Sequence, residues 1–256
     1  MHDKNEQFNS NIESLKKTFR LPIHINFIDV DIREDGIYIP LGFITHPDHL
    51  VDVTSVSECF KDYGAEPILY LISKFKPNEL SASLMTGNLV NYMLDSLISD
   101  PKVDFKVMLS GMFRTNPLGF AMLDDQSLMH LISILKEHFK NLRFSVLSEF
   151  RNFDISRDKI YLEPSFYSRD YGIQGRLDLL HQKNEMSGYD IIELKSGKTF
   201  KPNVYGINAS HYIQTLLYDL MIKSAFQTRL KSVNYILYSK EKEKQMRFAP
   251  PVRAQQ

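Results

Sequence analysis

The chain of 256 residues is 43% hydrophobic and 24% charged, close to globular averages, and this composition excludes a largely disordered protein. Its 31 basic and 31 acidic residues give a formal net charge of zero, so any nucleic-acid site must be a local basic patch. The length is sufficient for one large domain or two small ones.

Cys59 is the only cysteine, which excludes an internal disulfide, a cysteine-based zinc site and a four-cysteine iron–sulfur cluster within this chain. A single thiol is typical of a reducing compartment. The first residues lack the apolar core of a signal peptide, and no stretch approaches the length of a membrane span. We therefore expect a soluble, cytoplasmic protein with no membrane partner.

The first fifty residues predict a helix and a β-hairpin. Apolar residues recur at helical spacing over 7–20, and alternating segments at 24–32 and 37–40 are separated by an Asp-Gly turn. His24 and His46 have no second ligand at metal spacing, so we interpret them as ordinary strand or loop residues.

The rest of the chain predicts a mixture of helices and short strands. Up to residue 150 these are a helix from Asp52 capped by Thr54 or Ser55, helices at 67–75, 85–98 and 128–139, an irregular stretch at 104–123, and a strand at 143–150. Later elements are a strand at 159–162, a hairpin of 173–181 and 188–195, a helix from Asn208 or Ser210 to about 226, and a strand at 233–238. A charge run and an ending that completes no element follow, which we interpret as a tail or linker.

The helix at 85–98 carries an unusual face. Gly87, Asn91 and Asp95 follow one another at intervals of one turn, with apolar residues beside them. A glycine and an asparagine on this face suggest either close packing against a sheet or a polar contact at a site. Periodicity alone leaves both alternatives open.

Three residues on the predicted hairpin combine into a chemical motif. Side chains alternate along a strand, so Glu193 and Lys195 project from the same face, with Asp178 on the preceding strand. Two carboxylates are oxygen ligands that suit Mg²⁺ or Mn²⁺, and a lysine beside them favours an anionic substrate such as a phosphodiester. The alternative is a surface hairpin with a cross-strand ion pair, which contributes little.

Three successive motifs extend this pattern and resemble the RecB-like branch of the PD-(D/E)xK nucleases. The closest likeness is to the nuclease domain of flap-processing nuclease–helicases and to CRISPR adaptation exonucleases. An acidic and aromatic run beginning at Glu163 also resembles the family, whereas the first fifty and last fifteen residues lie outside the likeness. The motifs are Gly172-Ile-Gln-Gly-Arg-Leu-Asp178, Glu193-Leu-Lys-Ser-Gly-Lys198 and His211-Tyr-Ile-Gln214-x-x-x-Tyr218.

The resemblance implies a restriction-endonuclease-like core of the mixed α/β (α+β) class, with a central mixed β-sheet flanked by helices. It implies Asp178 and Glu193 as metal ligands for Mg²⁺ or Mn²⁺ and Lys195 as the catalytic lysine. Gln214 and Tyr218 would support the site or contact DNA.

Four further residues are candidates at the edge of this site. By charge and position, Arg176 and Lys198 are predicted phosphate contacts, and His211 is grouped with them as a DNA-binding residue. Glu163 is a candidate for an outer metal role.

Two departures from the family pattern affect the expected cofactors. The family has a histidine metal ligand four residues after the helix glycine, and this chain has Asn91 there, which predicts weaker or altered metal preference. Many members carry a four-cysteine iron–sulfur cluster. We expect no cluster here, and we expect Cys59 to be a small buried apolar residue.

The sequence thus predicts an accessory segment at 1–50, a nuclease core at 51–240 and a charged tail or linker at 241–256. The expected function is a metal-dependent deoxyribonuclease acting on single-stranded or flapped DNA, as the nuclease module of a helicase–nuclease. The first alternative is a nuclease-like domain that binds DNA with weak or no cleavage. The second is an interaction domain, which the neutral overall charge favours.

Overall fold

The structure of the protein is a computed structural model. The predicted helix at 7–20 lies largely outside the residues that it describes, and so do the apolar residues on which that prediction depends, Phe8, Ile12, Leu15 and Phe19. The described residues are 10, 13–14, 16–17, 22–75, 82–183, 188–199, 206–227 and 231–251.

A five-stranded mixed sheet forms the centre of the molecule, in the order β12-β11-β10-β9-β6. Strands β10 and β11 are parallel, and the other neighbours are antiparallel. This sheet confirms the predicted fold class, a mixed α+β protein with a central mixed sheet flanked by helices. Its strands are β6 (Ile160–Leu162), β9 (Leu179–Gln182), β10 (Tyr189–Lys195), β11 (Ser232–Tyr238) and β12 (Met246–Phe248).

Helices cover both faces of this sheet. One apolar core lies between the sheet and the helices α3 to α6, and a second lies between the sheet and α8. The helices are α1 (Val53–Ser57), α2 (Ile68–Phe75), α3 (Ala82–Ser99), α4 (Phe105–Thr115), α5 (Pro117–Ala121), α6 (Asp125–Phe144), α7 (Phe150–Asn152) and α8 (Ala209–Ala225).

Strand β10 shows the alternation that the sequence predicted. Ile192 and Leu194 belong to the core beneath α3 to α6, whereas Tyr189 and Ile191 belong to the core beneath α8. Because side chains alternate faces, Glu193 projects toward the α8 side of the sheet.

Smaller sheets surround the central one. A three-stranded sheet has the order β3-β8-β7, and the predicted N-terminal hairpin is confirmed as the antiparallel pair β1-β2. Asn26 attaches this hairpin to the core by donating hydrogen bonds to the backbone carbonyls of Arg169 and Asp170. The strands are β1 (Ile25–Ile32), β2 (Tyr38–Thr45), β3 (Val51–Asp52), β4 (Phe60–Lys61), β5 (Gly64–Ala65), β7 (Ser165–Ser168) and β8 (Ile173–Arg176).

Two predictions between residues 104 and 150 are wrong. The stretch 104–123 is helical, because Asp104 caps α4 and Met108 and Met112 bury its apolar face. The predicted strand at 143–150 is instead a π-helical turn that continues α6 into α7. Val146 and Phe150 are buried in the core from this helical turn, whereas Phe144 and Leu147 are exposed. A short apolar run cannot by itself distinguish a strand from a buried helical segment.

Three other boundaries also differ from the predictions. The N-cap of α1 is Asp52, whose carboxylate accepts from the Ser55 amide at 2.9 Å, rather than Thr54 or Ser55. The predicted strand 173–181 is divided between two sheets as β8 and β9. The ending does complete an element, since β12 pairs with β11.

None of the helices in the part of the chain that the structure describes combines the length and hydropathy of a membrane-spanning segment.

Candidate functional site

Asp178 occupies the junction between two sheets. It lies after the end of β8 in the three-stranded sheet and immediately before β9 in the central sheet. Its Oδ2 accepts a hydrogen bond of 2.7 Å from the backbone amide of Leu194, and its carbonyl accepts from the amide of Glu163 at 3.0 Å. The first bond joins Asp178 directly to the strand that carries Glu193 and Lys195.

Glu193 and Lys195 form the second part of the site at the end of β10. Glu193 is only 4% exposed, and its Oε1 accepts a hydrogen bond of 3.0 Å from Lys195 Nζ. Its Oε2 is buried and has no hydrogen-bond partner among the described residues. A buried carboxylate oxygen without a donor is unfavourable unless a cation or a water approaches it.

The two carboxylates repel each other. Burial and the negative charge of Glu193 raise the pKa of Asp178 well above its usual range, and the positive charge of Lys195 opposes this rise. Pairs of carboxylates that shift each other's pKa are a common feature of functional sites. A bound cation would relieve the repulsion between Asp178 and Glu193.

Gln214 and Tyr218 connect Lys195 to the rest of the molecule. Gln214 Oε1 accepts from Lys195 Nζ at 2.7 Å, and Gln214 Nε2 donates to Tyr218 Oη at 3.1 Å. The Tyr218 hydroxyl in turn donates to the carbonyl of Arg176 at 2.9 Å. The site residues predicted from the sequence at 176–178, 193–195 and 214–218 are therefore brought together.

Gly175 leaves space for Tyr218. A Cβ on this glycine would lie 2.8 Å from Tyr218 Cε1 and 3.3 Å from Val53 Cβ. A Cβ on Gly172, which has a φ of +63°, would lie 3.2 Å from the Cα and from the carbonyl oxygen of Pro47. The glycines of the first motif are thus explained by close packing of β8 against α8 and the 46–53 segment.

The backbone of Lys195 is held from the other side by residues that were not predicted from the sequence. The amide of Ser239 donates to the Lys195 carbonyl at 3.0 Å. Asn141 Nδ2 donates to the Ser239 carbonyl, and His138 Nδ1 lies 2.9 Å from Ser239 Oγ. His138 and Asn141 are buried on α6, and burial lowers the pKa of His138. Each of these contacts joins residues that are more than forty positions apart in the sequence, so no local pattern indicates them.

Arg176 and Glu163 lie at the entrance of the site and pair with each other. Their side chains form an ion pair of 3.2 Å, in which Arg176 is 63% exposed. Glu163 has a left-handed φ of +46°, a backbone conformation that is uncommon for residues other than glycine. The carboxylate of Glu163 is therefore already engaged by Arg176, and its outer metal role stays a prediction.

Lys198 and His211 differ in their suitability for a phosphate. Lys198 is exposed, whereas His211 Nδ1 lies 3.0 Å from the hydroxyl of Tyr238. Burial and the charge of Lys195 lower the pKa of His211 to about 4. A neutral imidazole can donate one hydrogen bond to a phosphate, but it adds no positive charge.

The helix face with Gly87 and Asn91 approaches the end of β10. A Cβ on Gly87 would have Ser196 Oγ 3.8 Å away, so this turn of α3 lies beside the residue that follows Lys195. Asn91, one turn further along α3, is partly buried. Its role as a metal ligand stays a prediction.

Asp95 is an acidic residue of this face that was not among the predicted site residues. Burial and the negative charge of Glu163 raise its pKa to about 6, while Arg176 opposes the rise. Its charge also contributes to the raised pKa of Asp178. The 87, 91, 95 spacing could have indicated it.

Replacing Asp95 with asparagine is expected to stabilise the metal-free protein at pH 8 by about 1–3 kcal/mol. The pKa of Asp95 is higher in the folded protein than the ordinary 3.8, so its contribution to stability decreases as the pH rises from about 4 through about 6. Urea unfolding at pH 4 and pH 8 measures the difference. The wild type and the variant should agree at pH 4, and the exposed Asp100→Asn serves as a surface control. A variant that is less stable at pH 8 would contradict the prediction.

The side chains present fit a hard divalent cation. Asp178 and Glu193 offer two carboxylates, and the charge of Glu193 helps to raise the pKa of Asp178. The unpartnered Oε2 of Glu193 is the group that a cation would satisfy. In the part of the chain that the structure describes, no three His, Cys, Asp or Glu side chains form a metal site. The remaining ligands would thus be water, amide or main-chain oxygens, as Mg²⁺ accepts.

Comparisons with known proteins add little. No protein-family model matches the chain, and no curated protein matches it. Among solved structures, the chain is similar to a candidate exonuclease from Eubacterium rectale. The TM-score is 0.44 and the identity 9%, over 76% of this chain and 70% of that chain. This similarity is too distant to assign a function, which therefore has to be argued from the site itself.

Proposed function

We propose that the protein is a metal-dependent deoxyribonuclease that hydrolyses phosphodiester bonds in single-stranded or flapped DNA. The observation that carries the proposal is the contact of Lys195 with both Glu193 and Gln214, beside the raised-pKa carboxyl of Asp178. A surface ion pair would not require the buried Glu193 or the amide of Gln214. The arrangement supports the proposal of a lysine held beside a cation site.

Each residue of the site has a role in this reaction. Asp178 and Glu193 would hold Mg²⁺ or Mn²⁺, which when bound supplies neutralisation of phosphate charge and a more acidic water. Lys195 would orient the attacking water and stabilise the charge on the phosphate oxygens. Gln214 would keep the ammonium group of Lys195 in place by accepting its hydrogen bond. Tyr218 would in turn hold the amide of Gln214.

The choice of DNA as substrate is supported by the family resemblance and by the charges at the entrance. Arg176 and Lys198 flank the site, and both are exposed. We further propose that this domain acts beside a helicase in the same polypeptide, in DNA repair or replication. That association rests on the resemblance alone.

Cleavage assays with metal test the proposal. End-labelled single-stranded, flapped and blunt duplex DNA are incubated with purified protein and Mg²⁺, Mn²⁺ or EDTA. We expect cleavage of the first two substrates with either metal and none with EDTA. Thermal unfolding should also show a higher Tm with millimolar Mg²⁺ or Mn²⁺, because the metal binds only the folded site.

Other results favour other functions. DNA binding without cleavage, with or without a Tm shift, would support the alternative of a nuclease-like binding domain. Asn91, in place of the family histidine, is the observation that favours this alternative. Neither cleavage nor DNA binding would reject both and leave the interaction domain.

A further inference from the structure

Thr54 contacts the candidate site from a distant part of the sequence. Its Oγ1 accepts a hydrogen bond of 3.1 Å from Gln214 Nε2, across 160 positions of sequence. Nothing in the local sequence around Thr54 indicates this contact, and its position predicted only a helix cap.

The backbone of Thr54 is held firmly although its side chain is exposed. The preceding residue, Val53, is completely buried and packs against Gly175. The N-cap Asp52 pairs with Gln174 in the β3–β8 ladder and fixes the first turn of α1. The hydroxyl of Thr54 therefore has a defined position relative to β8 and Tyr218.

The donors and acceptors around Gln214 admit one orientation of its amide. The ammonium of Lys195 can only donate, so Gln214 must present Oε1 to it, as the 2.7 Å contact shows. The two hydrogens of Nε2 then point to the other side and need two acceptors. Thr54 Oγ1 and Tyr218 Oη supply them, each at 3.1 Å. Tyr218 is free to accept because its own proton goes to the carbonyl of Arg176.

We propose that Thr54 is a positioning residue for Lys195, acting through the amide of Gln214. This inference rests on the proposed nuclease function for its kinetic consequence, but its structural part does not. Without the Thr54 hydroxyl, one Nε2 hydrogen loses its acceptor, and Tyr218 alone holds that side of the amide. Lys195 then keeps Glu193 and Gln214 as partners, but the position of the Gln214 oxygen that it contacts is less firmly fixed.

The test compares Thr54→Val, which has the same shape without the hydroxyl, with Thr54→Ser, which keeps the hydroxyl. Thr54→Val is expected to lower kcat by about tenfold, with a change in KM below about twofold. Thr54→Ser should stay within about twofold of the wild type in both constants. Because Thr54 is exposed, both variants are expected to fold, which circular dichroism and the Tm confirm.

A second measurement keeps the inference independent of catalysis. In metal-free protein with ¹³Cε-labelled lysine, the Lys195 resonance, assigned with Lys195→Met, should move or broaden in Thr54→Val and stay unchanged in Thr54→Ser. If the wild type does not cleave DNA, the proposed function fails, and this resonance alone decides the role of Thr54. An unchanged resonance in Thr54→Val, or equal damage in Thr54→Ser and Thr54→Val, would overturn the inference. A raised KM with unchanged kcat would also overturn it, since it indicates direct substrate contact.

Discussion

Asp178→Asn is expected to lower metal-dependent DNA cleavage by at least about 10³-fold, because the site loses one of its two carboxylate ligands. The same change should raise the Tm of the metal-free protein at neutral pH. Asparagine keeps an oxygen for the amide of Leu194, so the hydrogen bond that joins the two strands survives. Loss of activity with gain of stability distinguishes a functional residue from a structural one.

The sign of the stability change follows from the pKa. Burial and Glu193 raise the pKa of Asp178 above its ordinary 3.8, so the folded protein binds the proton more tightly than the unfolded chain. The contribution of Asp178 to stability therefore decreases as the pH rises above the ordinary value. Removing the charge eliminates this penalty at neutral pH and leaves stability little changed in acid.

Two measurements complete this prediction. Cleavage is assayed with Mg²⁺ and Mn²⁺, and the Tm is recorded with and without metal, in the wild type, Asp178→Asn and the exposed control Asp62→Asn. The Tm increase caused by metal should be absent only in Asp178→Asn. Lys195→Met should abolish cleavage to a similar extent but retain the metal-dependent Tm increase, since the carboxylates remain. Cleavage by Asp178→Asn at the wild-type rate would show that the activity belongs to another site or to a contaminant.

Gly175→Ala is expected to destabilise the protein by about 1–3 kcal/mol and to reduce cleavage strongly. The added methyl group would meet the ring of Tyr218 at 2.8 Å and the side chain of Val53 at 3.3 Å. Tyr218 is almost completely buried and is held by hydrogen bonds at its hydroxyl, so the ring cannot move without disturbing Gln214. A shift of the Tyr218 ring would therefore move Gln214, and with it the position of Lys195.

Gly197→Ala is the matched control for this change. Gly197 lies two residues after Lys195, and a Cβ there would have no atom within 4 Å. The free energy of unfolding of Gly197→Ala should stay within about 0.5 kcal/mol of the wild-type value or rise slightly, because alanine restricts the unfolded chain. Urea unfolding and cleavage rates of the two variants give the comparison. Equal effects of the two substitutions would contradict the packing role of Gly175.

Strand alternation and motif spacing predicted much of the site. The Glu-x-Lys pattern placed Glu193 and Lys195 on one face of a strand, and the structure joins their side chains at 3.0 Å. The four-residue interval placed Gln214 and Tyr218 on one face of a helix, and they are hydrogen-bonded there. These relations depend only on the repeat of the strand and of the helix.

Other parts of the fold could not be predicted in this way. The stretch at 104–123 contains glycine and proline, which indicated an irregular segment, but caps at Asp104 and Asn116 together with buried methionines make it helical. The run at 143–150 is apolar enough for a strand, and only the continuation of α6 decides that it is helical. Burial outweighs local propensity in both cases.

What the sequence by itself determined is the set of chemical groups and their local order. Asp178, Glu193 and Lys195 follow from the motifs, because a strand or a helix fixes the relation between residues a few positions apart. Only the tertiary structure decided that Asp178 lies at the junction of two sheets, bonded to Leu194, and that Thr54 reaches Gln214. It also added Asp95 and Ser239 to the surroundings of the site. Such contacts join residues far apart in the chain, and packing of whole elements, rather than any local repeat, brings them together.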